Sequence, residues 1–113
     1  MLSTDVNNAI ILQPPARLDA VSGRVFYDKI TALRASSDAV WMVNMTDVVF
    51  VDSRGLLTLV AGLRLAREAG CRFILCNVKP TVRLIFEITQ LDRVFEIFEG
   101  VEWVENPSVL MGV

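Results

Sequence analysis

"VVFVDSRGLLTLVAGLRLAREAG", residues 48–70, holds two kinds of periodicity joined by a polar break. Residues 48–51 form a short apolar run of strand character, whereas Leu56, Leu59, Val60, Leu63 and Ala66 recur at the spacing of one helix face. Asp52 stands at the junction, where its carboxylate can accept from backbone N–H groups one turn on, and Gly70 supplies the stop. Val51 and Leu56 then take the two positions of a hydrophobic staple. The stretch therefore predicts a strand, a tight turn and an amphipathic helix. Ser53, Arg54 and Gly55 fall in the first helical turn. Arg54 has the wrong sign there, because the helix dipole opposes a cation at that end by roughly 0.3–1 kcal/mol. Gly55 forgoes about 1 kcal/mol of helix propensity relative to alanine, which hints that something approaches the backbone closely.

The flanking segments repeat the alternation. "AIILQ", residues 9–13, is a strand closed by Pro14 and Pro15, since proline cannot continue a ladder. "DAVSGRVFYDKITALRAS", residues 19–36, predicts a helix capped by Asp19, with Val21, Val25, Ile30 and Leu33 at roughly helical spacing. "AVWMVNM", residues 39–45, and "CRFILCNV", residues 71–78, are near-continuous apolar runs, as in strands buried on both faces. "PTVRLIFEITQ", residues 80–90, opens with Pro80 at a first helical position and carries Leu84, Ile85 and Ile88. "VFEIFEGVEWV", residues 94–104, reads as a last strand running into a short helix, with Trp103 packing it down. Strand and helix in alternation give an α/β domain of parallel neighbours joined by crossovers. At 113 residues, without repeats or a low-complexity linker, one domain over 1–113 is expected.

Composition excludes several function classes. Eleven basic and thirteen acidic residues are scattered to a net charge of −2, so no electrostatic footprint for nucleic acid exists. Apolar runs are broken by Asn44, Asp47 and Arg64 well short of the roughly 20 residues of a membrane span, so direct membrane insertion is not expected. The first residues lack a basic segment before an apolar one, and a cytoplasmic location is expected. There is no histidine, which removes Cys–His and Ser–His nucleophiles and His-containing metal sites. Cys71 and Cys76, five residues apart about a strand, point to opposite faces and are expected as unpaired thiols. The remaining material for a catalytic or nucleotide site is Asp19, Asp52 and Ser53, and two carboxylates are few ligands for a hard cation. No catalytic residue, metal or cofactor is assigned. A content of 53% hydrophobic residues leaves apolar surface for a contact partner.

"NMTDVVFVDSRGLLTLVAGLRLAREAGCRFILCNVKPTVRLIFEITQLDRVFEIF", within residues 44–98, resembles the STAS domain family, whose best-known members are the bacterial anti-sigma factor antagonists. The likeness is strongest over residues 9–104. Its most specific piece is a strand, a turn of acid, Ser, Ser or Thr, Gly and Leu, and an amphipathic helix, matched by Asp52, Ser53, Gly55 and Leu56. "ARLDA", residues 16–20, resembles the family's turn before its first helix, and "CNVKPTVRLIFEITQLDRVFEI", residues 76–97, its strand, proline and helix segment. The resemblance implies a single STAS-like domain with a mixed sheet of four to five strands packed with three to four helices. It also implies a role in partner switching. An anti-sigma factor that is also a serine kinase binds the unmodified domain, a metal-dependent serine phosphatase restores it, and the domain is substrate and ligand rather than enzyme.

One residue departs from the pattern. The phosphorylated hydroxyl of the family immediately precedes the glycine, where this chain has Arg54. Arginine has no hydroxyl to accept that phosphate, and its positive charge is opposite to the charge of about −1.5 to −2 of a phosphoserine. The leading reading is an antagonist-like protein whose binding is no longer switched at Arg54, with Ser53 a candidate phosphoacceptor. The alternative is a STAS scaffold or accessory subunit of a larger signalling or lipid-transport ATPase complex. A period of 3.6 residues puts Leu57, Thr58, Ala61 and Arg64 away from the inner face. The expected partner-binding residues are thus Asp19, Asp52, Ser53, Arg54, Gly55, Leu57 and Thr58, with Leu57 either on that surface or covered by the C-terminal segment. A homodimer is left open.

Overall fold

Two apolar runs form the centre of the molecule. In the computed structural model, which describes residues 9–32 and 40–99, β3 (Val40–Asn44) and β5 (Arg72–Cys76) pair in parallel along their whole length, from Val40 opposite Arg72 to Asn44 opposite Cys76. The edge strands are β1 (Ala9–Leu12) beside β3 and β6 (Glu96–Phe98) beside β5, so the order is β1-β3-β5-β6 and every pairing is parallel. Each neighbouring pair is joined by a helix: α1 (Ala20–Ala32), α2 (Ser53–Glu68) and α3 (Pro80–Ile88). Parallel neighbours need such crossovers, because a tight hairpin can join only antiparallel strands. A second, two-stranded parallel ribbon consists of β2 (Arg17–Leu18) and β4 (Phe50–Val51). Among the described residues the main sheet has four strands and is packed with three α-helices, the α/β architecture expected of a STAS-like domain, but its pairings are parallel throughout rather than mixed.

Strand alternation divides the buried side chains into two sets. Trp41 and Val43 of β3 and Phe73 and Leu75 of β5 join one large cluster with Phe26, Ile30, Leu59, Leu63, Ala66, Val82 and Phe86 from the three helices. Phe95 closes that cluster at one end, its ring centroid 5.7 Å from Phe86 and 6.2 Å from Phe73. Val40, Met42, Ile74 and Cys76 lie on the opposite face, with Phe98 beside them. Both central strands are thus buried on both faces, the reason their sequences are nearly unbroken apolar runs. Cys71 packs against the first cluster and Cys76 belongs to the second, so the two thiols lie on opposite sides of the sheet and form no disulfide with each other. Burial pushes the Cys76 thiol up to about 12.

In two helices apolar spacing alone did not identify the buried face. In α1 the buried residues are Gly23, Phe26 and Ile30, whereas Val21 and Val25 are exposed. Gly23 takes a buried place because α2 passes close to α1 there, so that an added Cβ would lie 2.7 Å from the Thr58 hydroxyl oxygen. In α3, Val82 and Phe86 point inward and Leu84 and Ile88 outward. Packing against Phe95 selects that stripe from two apolar ones. Leu33 and Trp103 lie outside the described residues. Helix α2 ends in the expected way: Gly70 has φ +78°, its N–H donates to the Arg67 carbonyl at 3.1 Å and the Cys71 N–H to that of Ala66 at 2.8 Å. Among the described residues no helix is long and apolar enough to cross a membrane.

Candidate functional site

The two-residue ribbon sets the geometry of the site. Leu18 of β2 stands opposite Val51 of β4, so the residues that follow, Asp19 and Asp52, emerge side by side, and each begins a helix. Asp19 accepts through one carboxylate oxygen from the N–H groups of Val21 at 3.2 Å and Ser22 at 3.1 Å. The Ser22 hydroxyl in turn accepts from the Asp19 N–H at 3.0 Å, completing a reciprocal cap. The hydrogen bond from the Ser22 N–H, with smaller help from the Ser22 hydroxyl, the Val21 N–H and nearby Arg17, holds the Asp19 carboxyl below its ordinary value. Asp52 caps α2 by accepting from the Gly55 N–H at 2.9 Å, while its own N–H donates to the Leu18 carbonyl at 3.3 Å.

Gly55 explains why the first turn of α2 sits where it does. A Cβ at this position would lie 2.0 Å from the Leu18 carbonyl oxygen, so the helix rests directly on the β2 backbone. One turn further, Thr58 faces Gly23 of α1, where an added Cβ would lie 2.7 Å from the threonine hydroxyl oxygen. That hydroxyl donates to the Arg54 carbonyl at 3.1 Å. With Gly55 and Thr58 turned toward the protein, Ser53, Arg54 and Leu57 are left facing solvent, Leu57 with 64% of its surface open. The Leu57 side chain belongs to the surface, not the core.

A groove of about 240 Å³ runs between the starts of the two helices, lined by Ala20, Gly23, Arg24, Tyr27, Arg54 and Thr58. Of the seven residues expected to bind a partner, Arg54 and Thr58 line this groove, and Ser53 and Leu57 are exposed without lining it. Asp19 and Asp52 hold the helix starts, and Gly55 is buried, so it shapes the site without presenting a side chain to it. Sequence reasoning did not find Arg24, Tyr27 or Gly23. They lie on the preceding helix, and only the pairing of β2 with β4 brings them beside Arg54. A larger groove of about 650 Å³ opens between α1 and the segment at Pro14 and Pro15, with Lys29 and Asp47 at its edges and Arg54 absent from its walls. Asp47 is engaged there by the Gln13 side-chain amide at 2.9 Å.

One carboxylate oxygen of Asp19 and one of Asp52 are committed to backbone N–H groups. Among the described residues no group of three acidic or cysteine side chains could hold a metal ion. The arrangement offers an exposed, cationic and partly apolar contact surface.

Comparison with known proteins agrees with this fold. A model of the STAS domain family matches residues 2–103. The fold is similar to that of an anti-sigma factor antagonist of Mycobacterium paratuberculosis, at 25% identity and a TM-score of 0.70 over 83% of this chain and 80% of that one. It is also similar to a Thermotoga maritima protein described as a putative anti-sigma factor antagonist, at 22% identity and a TM-score of 0.78 over 90% and 88% of the two chains. The phosphorylated form of the Bacillus cell fate determinant SpoIIAA matches at 20% identity and a TM-score of 0.72, over 96% and 97%.

Proposed function

The chain belongs to the STAS domain family, and from that premise we propose that it is an anti-sigma factor antagonist that binds an anti-sigma factor serine kinase without being switched at the usual position. The domain is a regulatory binding module rather than an enzyme, and its family partners with anti-sigma kinases and with the phosphatases that oppose them. Phosphorylation releases such a partner by placing about −1.5 to −2 charge in the contact surface. Arg54 stands immediately before Gly55, has no hydroxyl for a serine kinase to phosphorylate and carries a positive charge.

The observation that supports this reading is the exposure of Arg54 in a first turn whose seating is otherwise intact. Asp52 caps the helix, Gly55 meets Leu18, and the side chain between them reaches solvent. Ser53, exposed one residue earlier, is the hydroxyl left to carry any remaining phosphate control.

The test is complex formation with candidate anti-sigma kinases, with and without ATP, for the native chain, Arg54→Ser and Arg54→Asp. The native complex should persist in ATP, the serine variant should bind and then be released as it is phosphorylated, and the aspartate variant should not bind. Failure of all three to bind any such kinase would refute the assignment, and co-purification of an ATPase subunit instead would point to an accessory role. Phosphopeptide mass spectrometry of the native chain after kinase treatment decides whether Ser53 is modified.

A further inference from the structure

The charge on the candidate surface is one-sided. Arg54, Leu57 and Arg64 are exposed and spaced by three and seven residues, so they share one stripe along α2. From Ser53 to Arg67 the helix contains no Asp or Glu. Across the groove, α1 adds Arg24. Arg24 lies 3.5 Å from Asp28, but that pair is open to water on both sides and is easily exchanged for another carboxylate. Arg54 and Arg64 enter no ion pair among the described residues. Asp52, the nearest acid in sequence to Arg54, has its carboxylate turned into the helix cap. A chain of net charge −2 has therefore gathered three guanidinium groups on this side, of which Arg54 and Arg64 have no ion pair among the described residues, together with the exposed Leu57.

Resting on the reading that this face of α2 is the docking surface, we infer that its occupant is an acidic segment of a protein partner. Carboxylates of that segment pair with Arg24, Arg54 and Arg64, and an apolar side chain among them covers Leu57. Charge complementarity of this kind fixes orientation and speeds encounter, while the apolar contact at the centre excludes water. Guanidinium suits the role because its planar fork grips a carboxylate through two hydrogen bonds. Nucleic acid fits less well: the chain is acidic overall, and a leucine at the centre of the patch offers nothing to a phosphate backbone.

The experiment is a titration of the isotopically labelled full chain, followed by amide chemical shifts, with a short synthetic peptide of Glu and Asp around a single Leu. Its Gln and Asn counterpart and a short single-stranded oligonucleotide serve as comparisons. Saturable shifts should centre on Arg24, Arg54, Leu57 and Arg64 and weaken as salt is raised. Arg54→Glu combined with Arg64→Glu should lower peptide affinity by roughly tenfold or more. Both positions are exposed, and the spectrum itself reports whether the variant is folded. Absence of saturable shifts at this face, an equal response to the amide peptide, or tighter binding of the oligonucleotide would overturn the inference. A kinase complex that survives both charge reversals overturns it while leaving the antagonist reading intact. Acidic-peptide binding without any kinase complex does the reverse.

Discussion

Replacing Gly55 by alanine tests the seat on which the site rests. The new Cβ would stand 2.0 Å from the Leu18 carbonyl oxygen, 2.8 Å from the carbonyl carbon and 3.2 Å from the Leu18 Cγ. Comfortable non-bonded contact is about 3.5 Å, so helix and strand must separate by more than about 1 Å. Leu18 cannot yield easily, because it is fully buried, paired with Val51 and hydrogen-bonded to the Asp52 N–H. Alanine gains about 1 kcal/mol in helix propensity. Against this stand about 1–3 kcal/mol of overpacking, at the upper end because the obstacle is backbone, and about 1 kcal/mol for each ribbon hydrogen bond that breaks. The net loss is about 2–4 kcal/mol, or roughly 10–25 °C in melting temperature for a domain of this size. Thermal unfolding followed by circular dichroism measures it, with Gly70→Ala as the comparison. Nothing lies within 4 Å of a Cβ at Gly70, so that variant bears only the strain of φ +78°, about 1 kcal/mol. A Gly55→Ala protein as stable as the native chain would show that α2 does not rest on β2.

Asp52→Ala should lose about 1 kcal/mol by leaving the Gly55 N–H without its acceptor, and Asp52→Asn should recover most of it in urea unfolding. The Asp19 carboxyl is held below its ordinary 3.8, chiefly by the Ser22 N–H. A depressed folded pKa gives stability that is complete above the unfolded value and lost as pH falls through the folded one, so the contribution fades below about pH 4. Asp19→Asn keeps an acceptor for the cap but cannot be protonated, and its stability should fall less steeply on acidification; identical acid limbs would contradict this assignment. Cys76, buried with its thiol pushed up to about 12, should resist iodoacetamide in the folded chain and react once urea unfolds it. Modification of Cys76 under native conditions, located by peptide mass spectrometry, would contradict its burial in the second cluster.

The legible parts of this fold were those in which one physical signal dominated. Trp41 to Val43 and Phe73 to Leu75 are buried on both sheet faces, which leaves a continuous apolar run in the sequence. Helix α2 carries a stripe, an acid at its start and a glycine past its end, and all three signals agree. Apolar spacing did not identify the buried faces of α1 and α3, for different reasons. In α1 a buried contact is made by Gly23, which has no hydrophobic side chain to announce it, while Val21 and Val25 face water. In α3 apolar residues cover more than half of the helix, so period alone offers two stripes, and the choice of Val82 and Phe86 depends on Phe95.

The chemistry at position 54 was written in the sequence: an acid that caps, a glycine that admits a close neighbour, and between them an arginine where a hydroxyl was expected. Each of those statements concerns residues a few positions apart, the range over which caps and turns are set. What the arginine faces was decided only by tertiary structure. The β2–β4 ribbon is two residues long on each side, too short to show any alternation, and its backbone hydrogen bonds are indifferent to side-chain identity. That pairing starts α1 and α2 side by side and brings Arg24 and Tyr27 to the groove beside Arg54. A lone misplaced charge in the sequence thereby becomes part of a cationic surface in the folded chain.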